Sequence, residues 1–190
     1  MNGNESRYCQ RIFDMSITYN NNMNKLKHNI IIGIIFVLIT GTISHFVYDW
    51  SGKNPILGLI FPINESVWEH MKLCFFPMLF YSYYMNQKVK DDYPCVTSSL
   101  LFGILMSTFL IPVHFYSYSG TLGYNSTFLD ISTFILSVLL SFTVIYKFTL
   151  SCKLPRYMPL LKFAVIITAV CFIIFTYFPP NLGIFKDPTR

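Results

Sequence analysis

Stretches of about twenty mostly apolar residues recur along this chain, at about 29–50, 66–85, 96–117, 126–148 and 159–178. A run of that length crosses the hydrocarbon core of a bilayer as an α-helix. No water is available there, so every backbone N–H and C=O must be satisfied within the helix itself. The pattern predicts an all-α fold, an integral membrane bundle of about five transmembrane helices. Composition agrees: 12% of the residues are charged, against about 25% in a soluble domain.

The runs divide the chain. Residues 1–27 are polar and asparagine-rich (Asn20, Asn21, Asn22, Asn24), without apolar periodicity, and read as a disordered leader. Met23 opens a plausible start of its own, so the first 22 residues are expected to be dispensable. Residues 28–180 form the membrane domain and 181–190 a short outer tail. Between the first two spans, Ser51-Gly52-Lys53-Asn54-Pro55 is turn chemistry. The apolar piece Ile56–Ile63 is too short to cross and reads as re-entrant or interfacial. The five cysteines, Cys9, Cys74, Cys95, Cys152 and Cys171, contain no C-x-x-C pair and signal neither a disulfide framework nor a structural zinc site.

Charge gives the orientation. Arg7, Arg11, Lys25, Lys27, Lys88, Lys90, Lys147, Lys153, Arg156 and Lys162 fall on one side of a five-span bundle. Lys53, Lys72, Lys186 and Arg190 fall on the other. The positive-inside rule then puts the N-terminus in the cytoplasm and the C-terminus outside. The same distribution excludes nucleic acid as a partner, because the basic residues flank spans and form no patch with interleaved aromatics on a soluble domain.

This topology gathers the polar residues. His45 and Asp49 lie at the outer end of span one, Glu65, Glu69, His70 and Lys72 at the outer start of span two. His114 ends span three and Asp130 begins span four. At 1.5 Å per residue, His45, Glu69, His70, His114 and Asp130 sit roughly 4–8 Å inside the outer boundary. Ionisable groups at that depth face the bundle interior or a wet cavity and mark function. His45, His70 and His114 are the candidate metal ligands, for zinc or another divalent ion, with Glu69 and Asp130 as candidate catalytic carboxylates.

Structural readings stand beside these. Ser66-x-x-Glu69 fits a capping box, which would occupy Glu69. Lys72 can snorkel or pair with Glu69 three residues away. Glu65 reads as a solvated loop residue, and Asp130 suits the positive end of a helix dipole. His70 and Glu69 are adjacent, so they point about 100° apart on a helix. Trp50, Trp68, Tyr116 and Tyr118 fit an interfacial aromatic belt.

Three segments carry a resemblance: His45-Phe-x-Tyr-x-Trp50-Ser-Gly, Asn64-Glu-Ser-x-Trp-Glu-His-x-Lys72, and Phe178-Pro-Pro-x-x-x-x-Phe-Lys-Asp-Pro188. Over about residues 25–190 the chain resembles a family of small, uncharacterised multi-pass membrane proteins of clostridium-like bacteria. The resemblance implies the bacterial plasma membrane and no particular activity. A second likeness, in chemistry alone, is to the membrane hydrolases that include alkaline ceramidases. It implies zinc held by His45, His70 and His114, with Asp130 and Ser44 in supporting roles. This chain differs from them in having five predicted spans and no His-x-x-x-His pair.

Two functions follow. One is a metal-dependent membrane hydrolase acting on a lipid-like ester or amide. The alternative is a non-enzymatic subunit or accessory protein whose cluster binds a membrane protein partner or a small ion. A coupled transporter is the weakest reading, since five spans without a repeat are few for alternating access.

Overall fold

The computed structural model describes residues 3–187, with side chains from Asn20 onward. The side chains of Arg7, Cys9 and Arg11 and the last three residues of the tail lie outside that range. Five long helices make the fold: α1 (Gly3–Trp50), α3 (Val67–Val89), α4 (Val96–Leu122), α5 (Thr127–Ser151) and α6 (Met158–Tyr177). A one-turn helix, α2 (Pro55–Gly58), interrupts the loop between α1 and α3. No strand occurs among the described residues.

Four segments are long and apolar enough to cross a membrane: Asn20–Trp50, Val96–Leu122, Thr127–Ser151 and Pro155–Tyr177. Their most apolar windows are only 28%, 50%, 33% and 22% buried. So much exposed apolar surface is stable against lipid and not against water. The fifth long helix, α3, is of similar length at 23 residues, but more than half of them are buried. It is the central element, packed between α1 and α4, and it can carry ionisable residues because little of it faces outward.

The neighbours run antiparallel. Lys25 donates to Asp92 at 2.7 Å at one end of the α1–α3 pair, and His45 stacks on His70 at the other, with ring centroids 5.4 Å apart. Helices α1, α3, α4 and α5 form a ring, and α6 lies outside it against α3 and α4. There Phe172 packs under Trp68 and Phe75 at 4.8 and 5.2 Å between centroids. Small residues set the close approaches. A methyl group on Gly41 would lie 2.6 Å from the Phe134 ring and 2.8 Å from the Leu73 carbonyl, so α1 can meet α5 and α3 here only without a side chain.

Two features depart from the sequence reading. Residues 1–27 read as disordered, yet α1 runs unbroken from Gly3. Leu26 is fully buried and Lys25 is tied to Asp92. The asparagine-rich stretch therefore prolongs an anchored helix and needs no nucleus of its own. The cysteines are also informative: Cys95, at the start of α4, lies against Cys152, just past the end of α5, with Cα atoms 5.3 Å apart. Their 57-residue separation carries no motif, and only the antiparallel α4–α5 pair brings them together.

The end of the bundle at which α3 begins, called outer after the topology that the charge count predicts, is organised by a buried ion pair. Lys72 and Glu69, one turn apart on α3, are almost wholly buried, with Nζ 2.7 Å from Oε2. The ammonium uses all three of its protons. Besides Glu69, it donates to the Gly58 carbonyl at 2.9 Å and to Thr176 Oγ1, on α6, at 2.6 Å. Glu69 Oε2 also accepts the Ile63 N–H at 3.0 Å. The network thus clamps both the α1–α3 loop and α6 onto α3. Gly58 is required in it, because a Cβ there would lie 2.6 Å from the Tyr177 hydroxyl and 2.7 Å from Ile63.

Removing one member of a closed, buried pair strands the other charge. Lys72→Met is expected to destabilise the protein by about 3–5 kcal/mol. The double variant Glu69→Gln/Lys72→Met is expected to regain much of that loss, as followed by denaturation in detergent. Additive losses would show that the two side chains act independently. Reporter fusions at the two termini are expected to report opposite sides of the membrane, with the N-terminus cytoplasmic. Finding both on one side would contradict alternating passage of five helices.

Candidate functional site

Val67, His70 and Leu73 lie at i, i+3 and i+6 on α3 and share the face turned toward α1 and α5. On α1, Gly41 and His45 are one turn apart and face them. Between these faces lies a cavity of about 630 Å³. Its deep walls are mainly apolar, formed by Leu73, Ile111 and Phe134, and its ionisable groups gather toward the outer end.

Three of those groups converge. His45 Nε2 lies 3.5 Å from Glu65 Oε1, and His70 Nε2 lies 3.4 Å from Glu65 Oε2. The two imidazoles stack at 22° to one another, so the carboxylate spans their edges. The nitrogen and oxygen atoms all fall within 4.8 Å of one another, a set that could hold a metal ion. Glu65 is placed by the helix start. Ser66 is the N-cap of α3, its hydroxyl 3.4 Å from the Glu69 N–H, and Asn64 Oδ1 accepts the Ser66 N–H at 2.9 Å. Half of the predicted capping box is therefore present. The other half is not, since the Glu69 carboxylate binds Lys72 and the Ile63 N–H and leaves the Ser66 N–H to Asn64.

The tautomer of His70 follows from its partners. Nδ1 lies 3.0 Å from the Ser66 carbonyl, which can only accept, so Nδ1 carries a proton. In the neutral ring Nε2 is then a bare acceptor directed at Glu65, itself an acceptor. Two acceptors at 3.4 Å require a cation between them, either a proton on the ring or a metal ion. A metal-bound histidine that donates its other N–H to a backbone carbonyl is the usual arrangement. With the proton on the ring, Glu65 is held below the usual carboxylate range, chiefly by the hydrogen bond it accepts from His70 Nε2, against the effect of burial and with a further contribution from His45. It stays ionised and able to ligate. Two imidazoles and one carboxylate suit zinc and other divalent transition metals, and three protein ligands leave coordination positions free.

The other predicted residues are distributed as follows. Asp130, on α5, lines the same cavity, and its Oδ1 accepts the hydroxyl proton of Tyr118 from α4. Glu69 points the other way, into the network with Lys72 and α6. His114 sits at a comparable level but is rotated toward α5, with Nδ1 3.1 Å from Ser137 Oγ, and it lines a separate shallow groove between α4 and α5. Ser44 is buried and does not line the main cavity. Sequence reasoning undervalued Glu65. The available signal was its position just before the N-cap Ser66, which limits how far it can move from His70.

A family model described as a family of unknown function, DUF6512, matches residues 17–190. The match begins a little ahead of the region, 25–190, in which the sequence motifs lie. No curated protein and no solved structure matches the chain. This chain belongs to the DUF6512 family of unknown function.

Proposed function

We propose that this protein is a metal-dependent hydrolase of the plasma membrane, acting on an ester or amide of a lipid-like substrate. His45, Glu65 and His70 hold the divalent metal, and Asp130 is the acid–base residue. The observation that carries this reading is the meeting of His70 Nε2 and Glu65 Oε2, two acceptors 3.4 Å apart at the wall of a largely apolar cavity, with His45 completing the set.

His45, Glu65 and His70 would hold the ion, which when bound would lower the pKa of a coordinated water toward 7. In hydrolysis the water oxygen bonds to the acyl carbon, and the bond from that carbon to the leaving oxygen or nitrogen breaks. One proton of the water passes to the leaving group. Asp130 faces the cavity from the helix opposite His70, oriented by Tyr118, and can carry that proton. The residues of the chain hold ionised Glu65 and the Nδ1-protonated form of His70 in place before any substrate arrives.

Elemental analysis of the purified, detergent-solubilised protein is expected to find about one bound zinc or other divalent ion per chain. His45→Ala and His70→Ala should each lose it while keeping the melting behaviour of a folded protein. Asp130→Asn should keep the metal and lower kcat on a fluorogenic long-chain acyl ester or amide by roughly 10²–10⁴. Folded protein that never binds metal would overturn the proposal. Metal binding without hydrolysis of any acyl ester or amide would leave the non-enzymatic, ion-binding reading in its place.

A further inference from the structure

We propose that the substrate is a single-chain amphiphile whose acyl chain enters the cavity sideways from the bilayer, through a portal between the outer halves of α1 and α5. This deepens the hydrolase reading, but the chain-binding part does not depend on the metal.

Helices α1 and α5 touch deep in the bundle. A Cβ on Gly33 would lie 2.4 Å from Phe142, and one on Gly41 would lie 2.6 Å from Phe134, so the helices are in contact at both levels. One turn further out, the contact gives way to the cavity. The residues bordering it there are exposed: Thr42 and Phe46 on α1, and Ile131 on α5. This rim continues the apolar flank formed by the exposed Ile35, Ile39 and Ile135. That flank belongs to two of the four helices apolar enough to face lipid. A wedge-shaped opening on a lipid-facing flank admits a molecule already dissolved in the bilayer.

The cavity has a second mouth. Asn125, in the turn between α4 and α5, and Thr127, the first residue of α5, line it and are exposed. Polar and apolar groups are arranged accordingly. Apolar side chains fill the depth, while His45, Glu65, His70 and Asp130 lie toward the outer end. An amphiphile entering from the side therefore lays its chain against Phe134 and Leu73 and brings its polar group to the cluster, where water arrives from above.

Size sets the number of chains. At about 30 Å³ per small group, the share a water molecule takes in the liquid, the 630 Å³ cavity holds roughly twenty non-hydrogen atoms. That is enough for one acyl chain with a small head.

The test uses full-length protein in lipid nanodiscs and palmitic acid carrying a mid-chain diazirine. After photolysis, peptide mapping is expected to find labelling of residues 41–46 and 131–134 several-fold above that of the lipid-facing surface of α6. Ile131→Trp, a change at an exposed rim position, should reduce the labelling of 41–46 several-fold while the melting temperature stays near that of the parent. A phosphatidylcholine with the same diazirine on one of its two chains should label these segments no more than it labels α6. His45→Ala protein should still be labelled by the fatty acid, which separates this proposal from the metal assignment. Fatty-acid labelling spread evenly over all lipid-facing helices, or unchanged in Ile131→Trp, would overturn the portal. Equal enrichment with the two-chain lipid would overturn the single-chain assignment.

Discussion

Everything at the outer end of this bundle hangs on one buried ammonium group. Lys72 sits in a helix surrounded by apolar neighbours, where an unpaired charge is strongly unfavourable. It is tolerated because its three protons are all accepted: by Glu69 on its own helix, by the Gly58 carbonyl in the loop, and by Thr176 on α6. The pair is of limited value for stability as such, since well-packed apolar groups could fill the same space. What it adds is direction. Two pieces of chain far apart in sequence, the α1–α3 loop and α6, are fixed to the start of α3, and that loop is the one that carries Glu65.

The crowding of ionisable residues between Asn64 and Lys72 is resolved by rotation about the α3 axis. Successive helical residues point about 100° apart. Glu69 therefore faces α6 and His70 faces α1, although both are inside the protein. One face of the first turn holds the fold together and the other lines the cavity. Neither group interferes with the other, because the bulk of the helix separates them. The same arrangement explains why α3 carries less apolar content than its neighbours: its polar side chains are spent on contacts within the bundle and not on lipid.

Much of the fold was legible in the sequence. The apolar runs marked an all-helical membrane bundle, because lipid demands a long, continuous signal, and four of the long helices are apolar enough to cross a membrane. The convergence of His45, His70 and Asp130 on one region followed from alternation of the spans together with residue depth. Depth does not give azimuth, however. His114 lies at the right level but one position away from Phe115, which lines the cavity, and that single step turns it to Ser137. Glu65 was the reverse case: it is an exposed loop residue, as the sequence suggests, and only the fold shows that its carboxylate meets both imidazoles, held there by the Lys72–Gly58 contact and the Asn64–Ser66 turn. The Cys95–Cys152 pair and the long N-terminal continuation of α1 were hidden for the same reason, since each depends on a partner brought near by packing.

The level of the His–Glu–His cluster in the bundle bears on the chemistry proposed for it. Hydrolysis of a lipid-like molecule brings together two reactants that do not mix, and they meet only where both phases are within reach. Deeper along α1 and α5, the Gly41–Phe134 and Gly33–Phe142 contacts close the path from the lipid side. Further out, beyond Asn125, there is no apolar wall to hold a chain. The interval between is about one helical turn. His45, His70 and Asp130 occupy that turn on three different helices, with Glu65 reaching into it from the loop. A site set lower would lack water, and one set higher would lack grip on the substrate. The buried ammonium of Lys72 fixes the loop that carries Glu65, so the same charge that orders the fold also holds the depth at which the proposed chemistry would take place.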